Sequence, residues 1–182
     1  MAIFRIEADT ANYAFVSYQN DFVGRDIPRF MGQSLGDSWG QWSGLRVYRI
    51  VEAPARFLES DFYGYLRGIA VKHHVWEIFH PLVGNSVEAL PLMCPDTELL
   101  ALNVLVVLDC LDLSNAEYHY STDRLEYWFC GVRVKQNACR NVPIFKVPRR
   151  KHESYIYVSG EFKTMVETNG LRGLRFIEMK ED

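Results

Sequence analysis

The chain has 182 residues, 48% of them hydrophobic and 24% charged, with a formal net charge of −3. That size suits one domain, or two tightly joined lobes, around a sizeable core, and the composition excludes a disordered chain. The balance of charge disfavours general nucleic-acid binding, and no apolar stretch approaches the ~20 residues that cross a bilayer.

Residues 1–60 read as a β-rich lobe. AIFRIEAD alternates at its start, YAFVSY is a strand, and LRVYRIVEAP is a stronger strand that Pro54 ends. Between them, MGQSLGDSWGQWSG is a Gly- and Ser-rich loop carrying Trp39 and Trp42, whose indoles are expected to pack over the lobe or to form a recognition surface.

IAVKHHVWEIFHPLVG follows as a helix, with Val71, Val75, Ile78, Phe79 and Leu82 at amphipathic spacing, Pro81 bending or ending it and Gly84-Asn85 turning the chain. SVEALPL is a short strand and CPDTE a turn. LLALNVLVVLD is a long strand whose apolarity predicts burial on both faces.

After a polar loop, LEYWFCGVRV and VPIFKV are strands, the second bounded by Pro143 and Pro148. SYIYVS is another, and its Ser159 caps the helix EFKTMVETNG, which turns Phe162, Met165 and Val166 inward and stops at Asn169-Gly170. LRGLRFIEM closes the chain as a strand. The predicted fold is α+β, a mixed sheet with a few packed helices. It forms one domain over 1–182, with sub-lobes 1–60 and 61–182.

Three constellations could carry chemistry. Asp109 and Asp112 bracket Cys110. On a helix their spacing would join two carboxylates, but a strand sends residues three apart to opposite faces, so they read as a strand exit bonding loop amides or an arginine such as Arg133 or Arg175. His73, Glu77 and His80 align on one helical face and could hold a metal. The metalloprotease and di-iron spacings are absent, and that face lies opposite the apolar stripe, so a solvated surface is expected. PRRKHE, at 148–153, is a basic loop suited to protecting strand edges rather than to binding phosphate.

No Walker loop, GxGxxG turn, GxSxG elbow or triad spacing is present. The four cysteines, Cys94, Cys110, Cys130 and Cys139, form no CxxC pair and read as reduced thiols. A metal-dependent hydrolase using His73, Glu77 and His80, or the Asp109/Asp112 pair, is the alternative to a non-catalytic protein.

From about Asp61 to Met179 the ordered segments resemble the immunity-protein-eleven family of bacterial polymorphic toxin systems, formerly a family of unknown function. The resemblance rests on DFYGYLRGIAVKHHVWEIFHPLVGNSVEALPL, on LNVLVVLDCLD with the loop containing Ser114, and on YIYVSGEFKTMVETNGLRGLRFIEM. It implies a cytoplasmic antitoxin that binds a cognate toxin encoded nearby, without catalysis, cofactor or metal. Partners in nucleic acid or membrane are not expected, and MAIFRIEADT lacks the pattern of a secretory signal. Residues 61–120 carry eight acidic and two basic side chains. With aromatic anchors, such charge suits capture of a protein partner, which nominates Trp39, Trp42, Trp76, Glu77, Asp96 and Glu98 as toxin-binding residues.

Overall fold

The computed structural model describes residues 2–18, 30, 32–43, 48–51, 59–65, 68–95, 97–114, 117–121, 126–130, 132–148 and 155–181. The N-terminal elements are β1 (Ile3–Ala8), β2 (Phe15–Tyr18), α1 (Gly36–Ser43), β3 (Tyr48–Val51), β4 (Phe62–Tyr65) and β5 (Gly68–Lys72). Helix α2 (His73–Val83) and a 3-10 turn (Gly84–Ser86) lead to β6 (Val87–Leu92), β7 (Leu99–Val104), β8 (Leu111–Asp112), β9 (Glu117–Ser121) and β10 (Glu126–Cys130). The chain finishes with β11 (Arg133–Val134), α3 (Gln136–Cys139), β12 (Ile144–Lys146), β13 (Ile156–Ser159), α4 (Gly160–Thr168), β14 (Leu174–Glu178) and β15 (Lys180–Glu181).

The fold is α+β. A six-stranded mixed sheet has the order β3-β2-β4-β5-β7-β6, and a four-stranded sheet has the order β12-β13-β1-β14. The N-terminal strand β1 sits between β13 and β14, antiparallel to both. Strands of both sheets share one apolar core with α2 and α4: Phe79 of α2 stacks on Phe62 at 6.1 Å and meets Phe162 of α4 edge-on at 5.7 Å. All three rings are essentially inaccessible to water. A second cluster under Trp39 covers the opposite face of the six-stranded sheet, and a third surrounds Cys110, Phe145 and Tyr157.

Several elements form where the local pattern places them. In β7, Leu102 and Val104 join the central core while Leu99 and Ala101 join the second cluster, so the strand is buried on both faces. The Ser159 hydroxyl accepts the Phe162 N–H at 3.3 Å and caps α4, and Gly170 takes φ +63° just after the helix.

Other expectations need correction. The predicted helix over IAVK does not begin until His73, because Ile69–Val71 lie in a strand hydrogen-bonded on both sides, by β4 and β7. Val71 satisfies both periodicities, and tertiary pairing decides between them. Pro81 does not end α2, which runs on to Val83; the helix stops at the expected Gly84-Asn85 turn, where Gly84 (φ +49°) donates its N–H to the His80 carbonyl.

The long strand stops at Val104 instead of reaching Asp109; Val107 makes an isolated bridge to Lys146. LEYWFCGVRV splits into β10, paired with β9, and β11, paired with β8 and β15. The polar loop before it contains β9, and α3 lies in a stretch without a helical pattern. The ends of the β3 region at 44–47 and 52–58, Pro54 among them, and most of PRRKHE fall outside the described residues.

MGQSLGDSWGQWSG is also more than a loop, since α1 occupies Gly36–Ser43. Its first turn is held from far along the chain. The Glu88 carboxylate accepts the Leu35 N–H at 2.8 Å, the Gly36 N–H at 2.9 Å and the Ser34 hydroxyl at 2.6 Å. The two backbone N–H groups are among the orphan donors that a helix start leaves exposed, and here β6 supplies the acceptor.

Candidate interaction surface

The residues nominated from the sequence separate into three groups. Trp39 is 2% exposed and donates its indole N–H to the Pro91 carbonyl at 2.8 Å, with Phe30 at 5.9 Å between ring centroids. It packs, as the first of its two expected roles requires. Trp42 lies in α1 with its side chain outside the described residues, and Asp96 is likewise outside them.

The start of α2, the helix that bears Trp76 and Glu77, meets Glu98 at one end of the six-stranded sheet. Register places Lys72 and Leu92 on either side of Leu99, and one residue further the His73 N–H donates to the Glu98 carbonyl at 3.3 Å. Met93, 49% exposed, follows Leu92 in the same row. One turn into α2, Glu77 stands 3.8 Å from His73, both side chains exposed. Half-buried Trp76 meets Phe79 edge-on at 5.2 Å and His80 at 4.7 Å.

Asp61 continues this surface. Its carboxylate accepts the Arg172 N–H at 2.9 Å and lies 3.9 Å from His74. Exposed Glu59 bonds Lys72 at 2.6 Å, an interaction that holds the Glu59 carboxyl below its usual value. The result is an acidic corner with imidazoles and two large apolar side chains.

The catalytic alternatives find a different setting. Asp112 accepts both the backbone N–H and the hydroxyl of Ser114 at 2.9 Å, and its strand pairs with β11 so that Asp112 faces Arg133 in register. That is the loop-bonding arrangement expected of a strand exit. Arg175, the other suggested partner, pairs with Glu7. His73 and Glu77 approach each other, while His80 stacks on Trp76. Among the described residues no three His, Cys, Asp or Glu side chains gather as metal ligands. Cys110 and Cys139 share a buried cluster, and burial first of all pushes the Cys110 thiol up to about 12, which keeps it protonated and unreactive.

Beside the α1 clamp lies a polar group that sequence reading passed over. Lys146, 5% exposed, donates its ammonium to the Phe30 carbonyl at 2.8 Å, and no carboxylate pairs with it among the described residues. Burial pushes its pKa down to about 8 from 10.5. A lysine with a lowered folded pKa sheds its proton first in the folded state, so the contribution of Lys146 to stability should rise with pH between those two values, by about 3 kcal/mol, while the raised Cys110 thiol works in the opposite sense above its ordinary value. Lys146→Met should therefore raise stability at pH 7 by roughly 1–2 kcal/mol, the lost Phe30 bond offsetting part of the gain, and its advantage over the parent should shrink or reverse at pH 10. Urea unfolding at pH 7 and pH 10 tests both effects.

No curated protein matches the chain. A family model matches residues 97–181, the segment from β7 through β15. Two of the three motif segments that carry the resemblance lie in it, and the α2 segment precedes it. The family that residues 97–181 of this chain match is the Immunity protein family (Imm11).

Proposed function

We propose that this protein is a cytoplasmic immunity protein of a polymorphic toxin system, which neutralises a cognate toxin by binding it and catalyses nothing. The match of residues 97–181 to an immunity family carries this reading. The surface formed by Trp76, Glu77, Glu98 and Met93 supports it: aromatic and thioether side chains provide anchors, and carboxylates speed capture of a basic partner.

The test is co-expression with the product of the adjacent toxin gene. Rescue of growth and a co-purifying complex are expected, and a neighbour that is no toxin, or that forms no complex, overturns the reading. Within the complex, Trp76→Ala should weaken binding by roughly tenfold or more. Glu77→Lys with Glu98→Lys should mainly slow association, with the loss growing smaller at high salt. Titration calorimetry and stopped-flow mixing read these two effects separately.

A further inference from the structure

Open sheet edges recruit strands, and proteins usually close them. The outer side of β12 is closed by the chain after β7: the Lys146 N–H donates to Val106 at 2.9 Å, and Leu108 donates to the Lys146 carbonyl at 2.8 Å. Edge strand β6 carries Pro91, whose carbonyl holds Trp39. Strand β14 is treated differently. Met179 donates to Ile3 and Asp9 donates to Gly173, each at 2.9 Å, so the odd-numbered residues from 173 to 179 bond β1. The backbone groups of Leu174, Phe176 and Glu178 therefore point away from β1, and no described backbone group pairs with them.

We propose that β14 is a docking edge onto which an extended acidic segment of the toxin adds as a fifth antiparallel or parallel strand, an inference that rests on the immunity reading above. The strand lies within the family-matched segment. Backbone rungs at three consecutive outward positions supply affinity, and side chains set the chemistry. Leu174 and Phe176 are half-buried against the central core, and Phe176 lies edge-on to Phe4 beneath the Lys163 ammonium. Arg172 and Lys180 are exposed at the two ends of the strand and Arg175, paired with Glu7 of β1, is exposed between them, against the single exposed carboxylate of Glu178 on that strand. A carboxylate-bearing segment complements this edge. A second copy does not, because antiparallel self-pairing would bring these cations together.

Glu178→Pro removes an outward N–H while leaving every bond to β1, and Glu178→Ala removes the side chain alone. Against the co-expressed product of the adjacent toxin gene, Glu178→Pro should weaken binding roughly tenfold or more, while Glu178→Ala stays close to the parent. Arg172→Glu should slow association. Hydrogen exchange of the intact complex should show new protection at the Leu174, Phe176 and Glu178 amides, a readout independent of whether the proline variant folds. Unchanged exchange and unchanged affinity in a complex that forms would overturn the docking edge and leave the immunity reading intact. Self-association lost on Glu178→Pro would overturn it in favour of a second copy. Failure of the parent protein to bind the toxin at all would overturn both.

Discussion

Gly173→Ala should destabilise the protein by at least about 4 kcal/mol, lowering Tm by roughly 8–16 °C for a chain of this size. Gly173 adopts φ +105°, and a Cβ there would stand 2.2 Å from the Ser60 hydroxyl and 2.3 Å from the Phe62 carbonyl oxygen. Neither neighbour can retreat cheaply. Ser60 is itself buried and donates to that same Phe62 carbonyl at 2.6 Å. The adjoining Arg172 carbonyl accepts the N–H groups of Asp61 and Phe62, both at 3.0 Å, and so joins the start of β14 to the start of β4.

A methyl group at this junction has to separate the two sheets or twist the backbone. Gly170→Ala is the control: it also has positive φ, +63°, but open space around it, so it should cost only about 1 kcal/mol. Thermal unfolding of the two variants separates the steric cost from the conformational one. Equal losses would show that the close approach at Gly173 is unimportant.

Glu88→Ala should cost about 3 kcal/mol, because one carboxylate holds four donors from two distant segments. Besides Ser34, Leu35 and Gly36, the Asn103 amide donates to it at 2.9 Å. Asn103 also donates to the Gln33 carbonyl at 2.8 Å, so the same group fastens the approach to α1 onto β7. Burial alone would raise the Glu88 carboxyl, but the bonds from Ser34, Leu35, Asn103 and Gly36 outweigh it and hold the pKa below its usual value.

The sign of the pH effect follows. A depressed folded pKa contributes stability that is present above the unfolded value near 4.5 and disappears as pH falls through the folded value. Glu88→Ala should remove that part of the acid dependence. It should also redden Trp39 emission, since the indole is kept dry by α1 resting on β6. Urea unfolding between pH 3 and pH 7, followed by tryptophan fluorescence, measures both. An unchanged acid profile would mean that the clamp contributes nothing to stability.

Short-range chemistry was legible wherever neighbours in the chain are also neighbours in space. The cap at Ser159, the inward Phe162 and Val166, the stop after Asn169 and the two-faced burial of β7 follow from side-chain period and hydrogen-bonding type alone. The ordered motifs from Asp61 to Met179, the last two of them within the matched segment, likewise pointed to the family that residues 97–181 match.

What the tertiary structure decided depends on partners far along the chain. IAVK became a strand because β4 and β7 offered hydrogen bonds on both sides, which no local period records. A Gly- and Ser-rich stretch became α1 because a carboxylate 52 residues away accepts the Gly36 N–H. Trp39 was thereby buried, while the start of α2, which bears Trp76 and Glu77, was brought against Glu98 at a sheet end. The side of β14 that no described backbone group meets is of the same kind. Local residue chemistry specifies a strand, but which of its two edges meets β1 and which faces outward is settled only when the sheet assembles.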